Sequence, residues 1–583
     1  MATYYVRTDG SNSNAGTANT AGGAWLTIAY SESQIVAGDT VRVQEGTYNE
    51  RITVTPGGSA GNYKTFVADG LVTCRGFTIS GVSYIKIIGF DITHTSTTYS
   101  NAVSLSGTCS YIEILDCNIY NIYKDGIQAL NQSATSYVTV RDCSFSEIGY
   151  IAGIVDEDTR TPIVTTYIKP DTSQGLTSDH WLVEYCTFTD NIDVFHLYGA
   201  YHVARNNVIV RGREPLTIHP DVFQSGSDGC VAGTAYHIVE ANLGGNMLDG
   251  DSHFGIWQDV QGDGSWSGDT NFIIRGNVIF NIGAGAIGSK NTPYVLTYNN
   301  TLYKITQTTA GNVLIFYKGS GDVQYPDYAM VANTIVMDDG ATTDALSIQS
   351  GTTGGVLTNN LGYQAGSESS YVSTSDPLFT DATSEDFSLQ SGSPARAAGA
   401  SLTTISSATG SGTSFDVTKS YLFSAGNGLV DGDLITVGAT TTKITGISGN
   451  TITTAASVSW TQNDPVYWGF SSTIDIGALP YTYAVSFTVV LDNTSLPAGS
   501  NNLTTTVSNA NPVRKVGYFV DGVPVGESYD SPYTVAYTAD GGTHTVEARA
   551  YKRYASATPT ISHTRALTAS GAARSRGLIL TAV

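Results

Sequence analysis

The sequence predicts an all-β protein: a right-handed, single-stranded parallel β-helix followed by small β modules, namely an inserted β domain and an immunoglobulin-like sandwich. Three observations lead to this prediction. Short alternating apolar runs recur through the first 400 residues. A Cys or Asn ends each run at a fixed offset from its start. Gly numbers 63 and Tyr 35 while only 13% of residues are charged, which is typical of turn-rich β scaffolds.

The repeat has an aromatic or polar residue at its start and a Cys or Asn six positions later. The copies begin and end at Tyr111–Cys117, Tyr137–Cys143, His180–Cys186, Tyr201–Asn207, Tyr236–Asn242, Asn271–Asn277, Tyr294–Asn300, Asp327–Asn333 and Gly354–Asn360. An earlier copy, Tyr84 to Phe90, has an aromatic residue at its end. A unit of this size cannot bury its apolar face alone, so the units are expected to stack into one continuous core.

Stacking places equivalent residues of successive turns about 4.8 Å apart, which turns the Cys and Asn positions into an interior ladder. Each Asn amide can then donate to the next one and satisfy buried carbonyls. Cys117, Cys143 and Cys186 are interpreted as buried thiols, with a disulfide or redox role as the alternative. Cys74, Cys109 and Cys230 follow no pairing pattern.

Charge and apolar patterning limit the function classes. The net charge of −22 opposes binding to nucleic acid or anionic membranes, because phosphate contacts need Lys and Arg. No apolar stretch is long enough for a membrane-spanning helix. The start lacks the basic and apolar regions of a secretory signal, so either a signal has been removed or the protein leaves its cell by lysis. The cysteine spacing does not fit a structural zinc site.

Short segments at the two ends of the repeat region carry a family resemblance. They are Tyr4-Tyr5-Val6, Asp9-Gly10-Ser11, Ala37-Gly38-Asp39-Thr40-Val41, Gly46-Thr47-Tyr48-Asn49-Glu50, Asp376-Pro377-Leu378-Phe379 and Asp475-Ile476-Gly477-Ala478. They resemble the opening and closing segments of pectin-lyase-like right-handed β-helix proteins, and the resemblance covers about two-thirds of the chain. It implies the fold but leaves the chemistry open, because this scaffold hosts lyases, hydrolases and pure binders. The paired-Asp and Gly-His-Gly patterns of polygalacturonases are absent from the sequence, as is the calcium-and-arginine signature of pectate lyases.

The closing motif arrives late, which predicts an insertion before it. Segments at 516–522, 531–534 and 542–550 resemble bacterial and phage immunoglobulin-like domains, here without cysteine. The predicted boundaries are 1–82 for the cap and first turns, 83–399 for the helix body, 400–472 for the inserted domain, 473–483 for the closing segment, 484–570 for the sandwich and 571–583 for a tail.

Aligning the later strand of each turn predicts which residues share a face. The inward residues of this alignment are Ile127, Ile154, Phe195, Leu216, Ile256 and Ile287. Three positions beyond them, one face of the helix is expected to present Glu157, Tyr198, His219, Asp259 and Lys290. His196 and Trp257 lie beside these residues, and insertions at 156–178, 219–235 and 259–270 flank them. A groove of aromatics and carboxylates suits an extended glycan.

The catalytic candidates are His219, Asp221, Asp259 and Tyr198. In a lyase, Tyr198 or His219 is the base, and a cation neutralises the uronate carboxylate. In a hydrolase, Asp221 and Asp259 form the carboxylate pair, which needs a separation of roughly 5 to 9.5 Å. Alternatively, His219 has a purely structural role and caps a strand.

The substrate-binding candidates are Glu157, His196, Trp257, Trp266, Lys290 and Arg213. Trp257 and Trp266 are sugar platforms or, equally, loop anchors. No metal ligand is assigned. The acidic cluster 156–158 is a candidate for binding calcium and also fits a solvated surface loop.

Together these features favour a phage tailspike-like virion protein that binds and depolymerises a host surface polysaccharide. The expected assembly is a homotrimer with other tail proteins as partners, located on the virion tail or outside the cell. Two alternatives remain open: a secreted bacterial polysaccharide lyase or glycoside hydrolase, and a non-enzymatic glycan-binding adhesin or structural fibre.

Overall fold

The chain divides into two compact units, residues 1–480 and 481–583, which are described separately. The computed structural model describes residues 2–95, 101–129, 134–149, 163–164, 178–191, 194–196, 199–212, 223–225, 236–247, 254–259, 271–283, 285–305, 312–320, 322, 325–337, 345–365, 369–469, 472–478, 488–491, 499–508, 513–521, 523–528, 533–539, 543–552, 561–568 and 580–581.

In the described part of the first unit, parallel strands stack in three rows, and the long strands Thr40–Tyr48 and Lys64–Cys74 continue from the first row into the second. The first row contains Thr3–Val6, Thr40–Tyr48, Lys64–Cys74, Ile85–Ile88, Thr108–Leu115, Ala134–Arg141, Asp179–Glu184, Val203–Arg205, Ile238–Glu240, Phe272–Arg275, Val295–Tyr298, Met330–Ala332 and Val356–Thr358. The second row contains Asp91–His94, Asn118–Ile122, Ser144–Ile148, Thr187–Asn191, Val208–Gly212, Leu243–Met247, Val278–Ile282, Thr301–Tyr303, Ile335–Met337, Asn360–Tyr363 and Tyr371–Ser373. The third row contains Ile52–Val54, Phe77–Ser80, Val103–Ser106, Ile127–Ala129, Ile163–Val164, Phe195–His196, Phe223–Ser225, Phe254–Asp259, Gly285–Lys290, Leu314–Tyr317 and Leu346–Ile348.

The strand rows enclose one apolar core that runs along the helix axis. Alternate residues of each strand point into it because side chains in a strand alternate between its faces. In Ile85–Ile88, for example, Ile85 and Ile87 are fully buried while Lys86 and Ile88 are partly exposed. The register is parallel throughout, so each inward residue contacts the equivalent residue of the next turn. The predicted parallel β-helix is confirmed.

The interior ladder is also confirmed, with one correction. Cys117, Cys143 and Cys186 are buried free thiols, and burial raises the pKa of Cys117 and Cys143 well above its ordinary value. The Asn positions continue the same column through Asn207, Asn242, Asn277, Asn300 and Asn360.

The turn predicted to end at Asn333 instead places Thr334 in the ladder, where its backbone N–H donates to Asn360 Oδ1 at 3.0 Å. The copy begins at Tyr328 rather than Asp327. Tyr328 has the left-handed backbone (φ 58°) that starts the other copies, and Asn333 (φ 50°) occupies the turn just before the ladder position. Two adjacent polar residues at the end of this copy concealed the one-residue shift.

A short helix, Ile28–Gln34, covers the first turns. Thr27 caps it by accepting a hydrogen bond from Tyr30 N at 3.2 Å. A buried ion pair fixes the helix to the strands: Lys64 Nζ lies 2.6 Å from Glu32 Oε1 and also donates to Glu32 O at 2.8 Å. Both side chains lie almost fully out of solvent, so removing either one leaves an unpaired buried charge.

An antiparallel sheet of six strands covers part of the first-row outer face. Its strands are Thr403–Thr404, Gly410–Asp416, Leu434–Val437, Thr440–Ser448, Thr451–Trp460 and Pro465–Trp468. Its apolar core merges with outward residues of the helix, including Leu296, Tyr298 and Met330. This explains why the helix carries apolar residues on an outer face at these turns.

A charged network joins this sheet to the helix. Arg275 is buried and donates to Asp433 Oδ2 at 2.7 Å and to Tyr298 Oη at 2.8 Å. It also bonds Glu240 at 2.9 Å, at the end of an alternating column of Arg and Glu side chains. In that column, burial alone would raise the pKa of Glu184, but Arg205 and Arg141 lower it.

The chain then closes on the helix. A hairpin of Phe379–Asp381 and Asp386–Leu389, joined by the 3-10 turn Ala382–Ser384, packs Phe387 against Phe280 at 5.3 Å. A second 3-10 turn is Ser420–Leu422. The predicted closing motif returns to the helix, where Asn299 Nδ2 donates to Asp475 O at 3.0 Å.

In the described residues of the second unit, two antiparallel sheets surround a separate core that contains Leu503, Val516 and Tyr518. One sheet contains Thr488–Leu491, Gly499–Ser508 and Tyr533–Ala539, and the other Val513–Val520, Val523–Ser528, Thr543–Lys552, Ile561–Thr568 and Leu580–Thr581. The predicted all-β class is confirmed, while the individual domain boundaries stay predictions. None of the described helices has the length and apolar character needed to span a bilayer.

Candidate functional site

The third-row outer face is where the sequence predicts the site, and its described part carries a cluster of functional side chains. In Gly285–Lys290 and Leu314–Tyr317 the inward residues Ile287 and Leu314 are fully buried. Lys290 and Tyr317 face outward and are partly exposed. They are partners in the strand register, one turn apart.

Trp257 brings a second ring to this face. Its ring centroid lies 6.2 Å from that of Tyr317, and the two ring planes meet at 48°. Trp257 pairs in register with Gly288, a residue with no side chain, in the strand between the two rings. The missing side chain at Gly288 leaves room for the two rings to approach each other over that strand.

The turn after Tyr317 adds charged groups. Asn291 anchors it: Asn291 Nδ2 donates to Asp322 Oδ2 at 2.7 Å, and Gly319 N donates to Asn291 Oδ1 at 2.8 Å. A Cβ at Gly319 would come within 2.0 Å of Asp322 Oδ2 and 2.5 Å of Lys290 Cε, so glycine lets this lysine and carboxylate lie against the same backbone. Lys318 Nζ donates to Asp322 O at 2.7 Å.

We name Trp257, Lys290, Tyr317, Lys318 and Asp322 together the Trp257 surface. It combines two aromatic rings, two cations and a carboxylate on neighbouring turns. Aromatic rings contact the C–H faces of sugars, while cations and carboxylates bind carboxylates and hydroxyls. Among the described residues, no three His, Cys, Asp or Glu side chains gather as a metal site would need.

Of the predicted site residues, Trp257 and Lys290 lie on this surface. Asp259 and His196 have described backbones in third-row strands: Asp259 pairs with Lys290, and His196 is in the same column as Trp257. The remaining predicted residues lie outside the described residues: Glu157, Tyr198, Arg213, His219, Asp221 and Trp266. The acidic cluster 156–158 lies outside them as well.

The predicted alignment is wrong at two turns. Ile163, not Ile154, pairs with Ile127 and Phe195, and Phe223, not Leu216, pairs with Phe195 and Ile256. The alignment assumed that the extra residues of these turns follow the third-row strand, whereas many of them precede it.

The corrected pairing changes the count that led to two of the candidates. Counting three positions from Phe223 and Ile163 reaches positions 226 and 166 in the sequence rather than His219 and Glu157. The placement of His219 and Glu157 beside Asp259 stays a prediction. An apolar run of two or three residues is too short to decide between two such alignments.

Sequence reasoning missed Tyr317, Lys318 and Asp322. Extending the same count by one turn, from Ile287 to Leu314, places Tyr317 in line with Lys290. Lys318 and Asp322 lie in a turn outside the repeat, so no periodic signal indicates them.

Comparison with known protein families identifies one segment of the second unit. Residues 484–548 match the family model of the bacterial Ig domain, which confirms the predicted immunoglobulin-like segment. No curated protein matches the chain in sequence.

Several solved structures are similar to part of the chain at low identity. Pectate lyase Pel9A is 16% identical, over 70% of this chain and 94% of that one, with a TM-score of 0.39. A rhamnogalacturonan lyase is 16% identical, over 65% and 91%, with a TM-score of 0.37. An alginate lyase from Paenibacillus sp. str. FPU-7 is 12% identical, over 45% and 90%, with a TM-score of 0.33. Similarity at this level does not assign an activity.

Proposed function

We propose that this chain binds an extracellular polysaccharide along the third-row outer face and depolymerises it, as a tailspike-like protein of a phage virion. The observation that carries the proposal is the Trp257 surface. Its rings offer a platform for sugar faces, and Lys290 and Lys318 offer cations beside Asp322. This combination suits a glycan that contains acidic sugars.

The catalytic proposal centres on Asp259, because its Cα pairs with that of Lys290 in the strand register. In a lyase, a base removes the proton α to the uronate carboxylate, the glycosidic C–O bond β to that carbon breaks, and a C=C bond forms as the departing oxygen takes a proton. Lys290 would neutralise the carboxylate, and Tyr198 or His219 would be the base. In a hydrolase, Asp221 and Asp259 would be the acid and the nucleophile or base.

The test is a turnover assay of the full chain on a panel of bacterial capsules, alginate and polygalacturonate. Unsaturated products that absorb in the ultraviolet mean a lyase, and new reducing ends without unsaturation mean a hydrolase. If the chain is a hydrolase, Asp259→Asn should lower kcat. In either mechanism, Trp257→Ala should raise KM about tenfold through lost ring contact. Lys443→Ala is the control, because Lys443 pairs with Asp431 on the inserted sheet.

Binding without cleavage would support the adhesin instead. Full activity in both Asp259→Asn and Trp257→Ala would overturn the proposed site. Sedimentation of the full chain tests the proposed homotrimer. Antibody labelling of phage particles separates a virion protein from a secreted bacterial enzyme, which would label culture supernatant but no particle.

A further inference from the structure

A second row of side chains on the outside of the helix is unused by the proposed function. Six aromatic rings, here called the ring ladder, stack along the start of the first-row strands: Tyr84, Tyr111, Tyr137, His180, Tyr201 and Tyr236. Successive centroids lie 4.7, 4.9, 4.7, 5.0 and 5.3 Å apart. Tyr111 keeps 37% of its surface exposed, and none of the six rings is fully buried.

The backbone conformation at the six ring positions is energetically unfavourable for aromatic residues. All six have φ between 41° and 61°, a left-handed conformation that favours Gly and Asn and disfavours bulky side chains. The last turn has Gly354 (φ 67°) at the equivalent place. The turn itself therefore does not need a ring. Stacking stabilises neighbouring rings but leaves their outer edges and polar atoms toward solvent.

Hydrogen-bonding groups flank the ladder, and the charges beside it are paired. Ser83 Oγ and Ser110 Oγ lie 2.9 Å apart on one side. On the other side, Lys86 Nζ lies 2.8 Å from Glu113 Oε2. Within the ladder, His180 Nδ1 bonds Asp179 Oδ1 at 2.8 Å. This edge offers hydroxyls and aromatic edges, in contrast to the two lysines of the Trp257 surface.

The inserted sheet borders one end of the ladder. Its loop residues Leu429 and Val430 pack on Leu182, Val203 and Ile238, each two positions after a ladder residue. Asn427 Nδ2 donates to Tyr236 O at 2.7 Å. The loop therefore lies beside the last three rings.

We propose that the ring ladder is a separate glycan-binding surface that takes a linear neutral polysaccharide lying parallel to the helix axis. The rings repeat every 4.7 to 5.3 Å, so an extended chain of sugars meets about one ring edge per sugar. The charges beside the ladder are already paired, which disfavours a densely charged uronate chain. This ligand class differs from the acidic glycan proposed for the Trp257 surface.

Affinity electrophoresis of the full chain tests the ladder, with mixed-linkage β-glucan and galactomannan as neutral probes and alginate and polygalacturonate as acidic ones. Tyr111→Ala and Tyr137→Ala should each weaken retardation by a neutral probe about tenfold. Tyr328→Ala is the matched control: Tyr328 is 40% exposed, has φ 58° and stacks on Tyr294 at 4.7 Å, outside the six rings. This control should bind as the unmodified chain does.

Thermal unfolding of each variant shows whether it folds, and Tyr111→Phe retains the ring if Tyr111→Ala does not fold. Tyr111→Phe should retain most of the binding, because ring contact dominates. The proposal fails if neither neutral probe retards the unmodified chain, or if Tyr111→Ala and Tyr328→Ala behave alike. Trp257→Ala should leave retardation by neutral probes unchanged, so failure of one surface is distinguishable from failure of the other.

Discussion

The two halves of the interior ladder solve the same problem with different chemistry. In the first half, Cys117, Cys143 and Cys186 fill the position. Their thiols make long contacts with carbonyls of the same turn and of the preceding one, for example 3.4 Å from Cys143 Sγ to Arg141 O and 3.5 Å to Ile114 O. A buried thiol behaves as a small apolar group. This half is held mainly by packing.

In the second half, each Asn bonds both neighbouring turns. Asn242 Oδ1 accepts from Asn207 N and Asn207 Nδ2 at 3.0 Å, and Asn242 Nδ2 donates to Ala204 O and Asn277 Oδ1 at 3.0 Å. Removing the Asn242 amide therefore breaks four buried hydrogen bonds at once. One ladder position thus accepts either a weakly polar thiol or a fully hydrogen-bonded amide.

The largest expected effect comes from breaking the amide half. Asn242→Leu should lower the free energy of unfolding by about 3 kcal/mol or more, because it removes the buried acceptor of Asn207 N and one hydrogen bond each from Asn207 Nδ2, Ala204 O and Asn277 Oδ1. Urea unfolding of the full chain, followed by circular dichroism, measures this. Asn62→Ala is the control, because Asn62 is partly exposed and its amide makes a single 3.4 Å hydrogen bond. Equal loss in both variants would contradict the ladder argument.

Acid should also weaken the amide half selectively. His202 and His237 stack at 5.0 Å inside the same turns, and burial, then the neighbouring His202, lowers the pKa of His237 well below 6.5. The unfolded chain then binds a proton that the folded one does not, so this stabilisation is complete above pH 6.5 and is lost as pH falls below it. Urea midpoints across this range test the point. An unchanged slope in His237→Phe would refute it.

Substitution of a ladder residue in the thiol half should lower the free energy of unfolding less than substitution in the amide half. Cys143→Ala removes one buried sulfur, leaves no strong hydrogen-bonding group unpaired, and should cost about 1 to 2 kcal/mol. The same urea assay compares it directly with Asn242→Leu. A cost as large as that of Asn242→Leu would mean that the two halves are held alike.

The smallest change in stability is expected at the junction of the thiol and amide halves, between Cys186 and Asn207. Cys186 N already donates to Asn207 Oδ1 at 2.9 Å, and Cys186 Sγ points toward Val140 O at 3.7 Å. Cys186→Asn would extend the amide ladder by one turn, because Asn207 Nδ2 makes the corresponding bond to Val183 O. Stability should change by no more than about 1 kcal/mol. A loss above that would show that the thiol half lacks room for an amide.

Much of the β-helix was predictable from the sequence because the same pattern recurs in many turns, and each copy supports the assignment of the others. The ladder residues from Cys117 to Asn300 follow from a fixed six-residue offset, and the strand pairing confirms each of them. Asn333 was wrong by one position, because Thr334 occupies the ladder position and its backbone N–H donates to Asn360 Oδ1. The sequence pattern cannot distinguish two adjacent polar residues that both follow the apolar run.

The site was less predictable, because it lies where the repeat is interrupted. Trp257 and Lys290 come from uninterrupted strands and lie together on the outer face. His219 and Glu157 were placed from turns with extra residues, where the apolar alternation fits two alignments. Asp322 joins the surface through hydrogen bonds from Asn291 and Lys318, which no periodic pattern indicates.

The sequence by itself determined the kind of architecture, because alternation and a recurrent polar position follow from strand geometry and from the need to pair buried groups. The tertiary structure alone decided which residues of the interrupted turns align. It also placed the inserted sheet on the first-row face, where the buried contact of Arg275 with Asp433 joins residues 158 positions apart. A contact at that separation depends on packing between elements, which leaves no local trace in the chain.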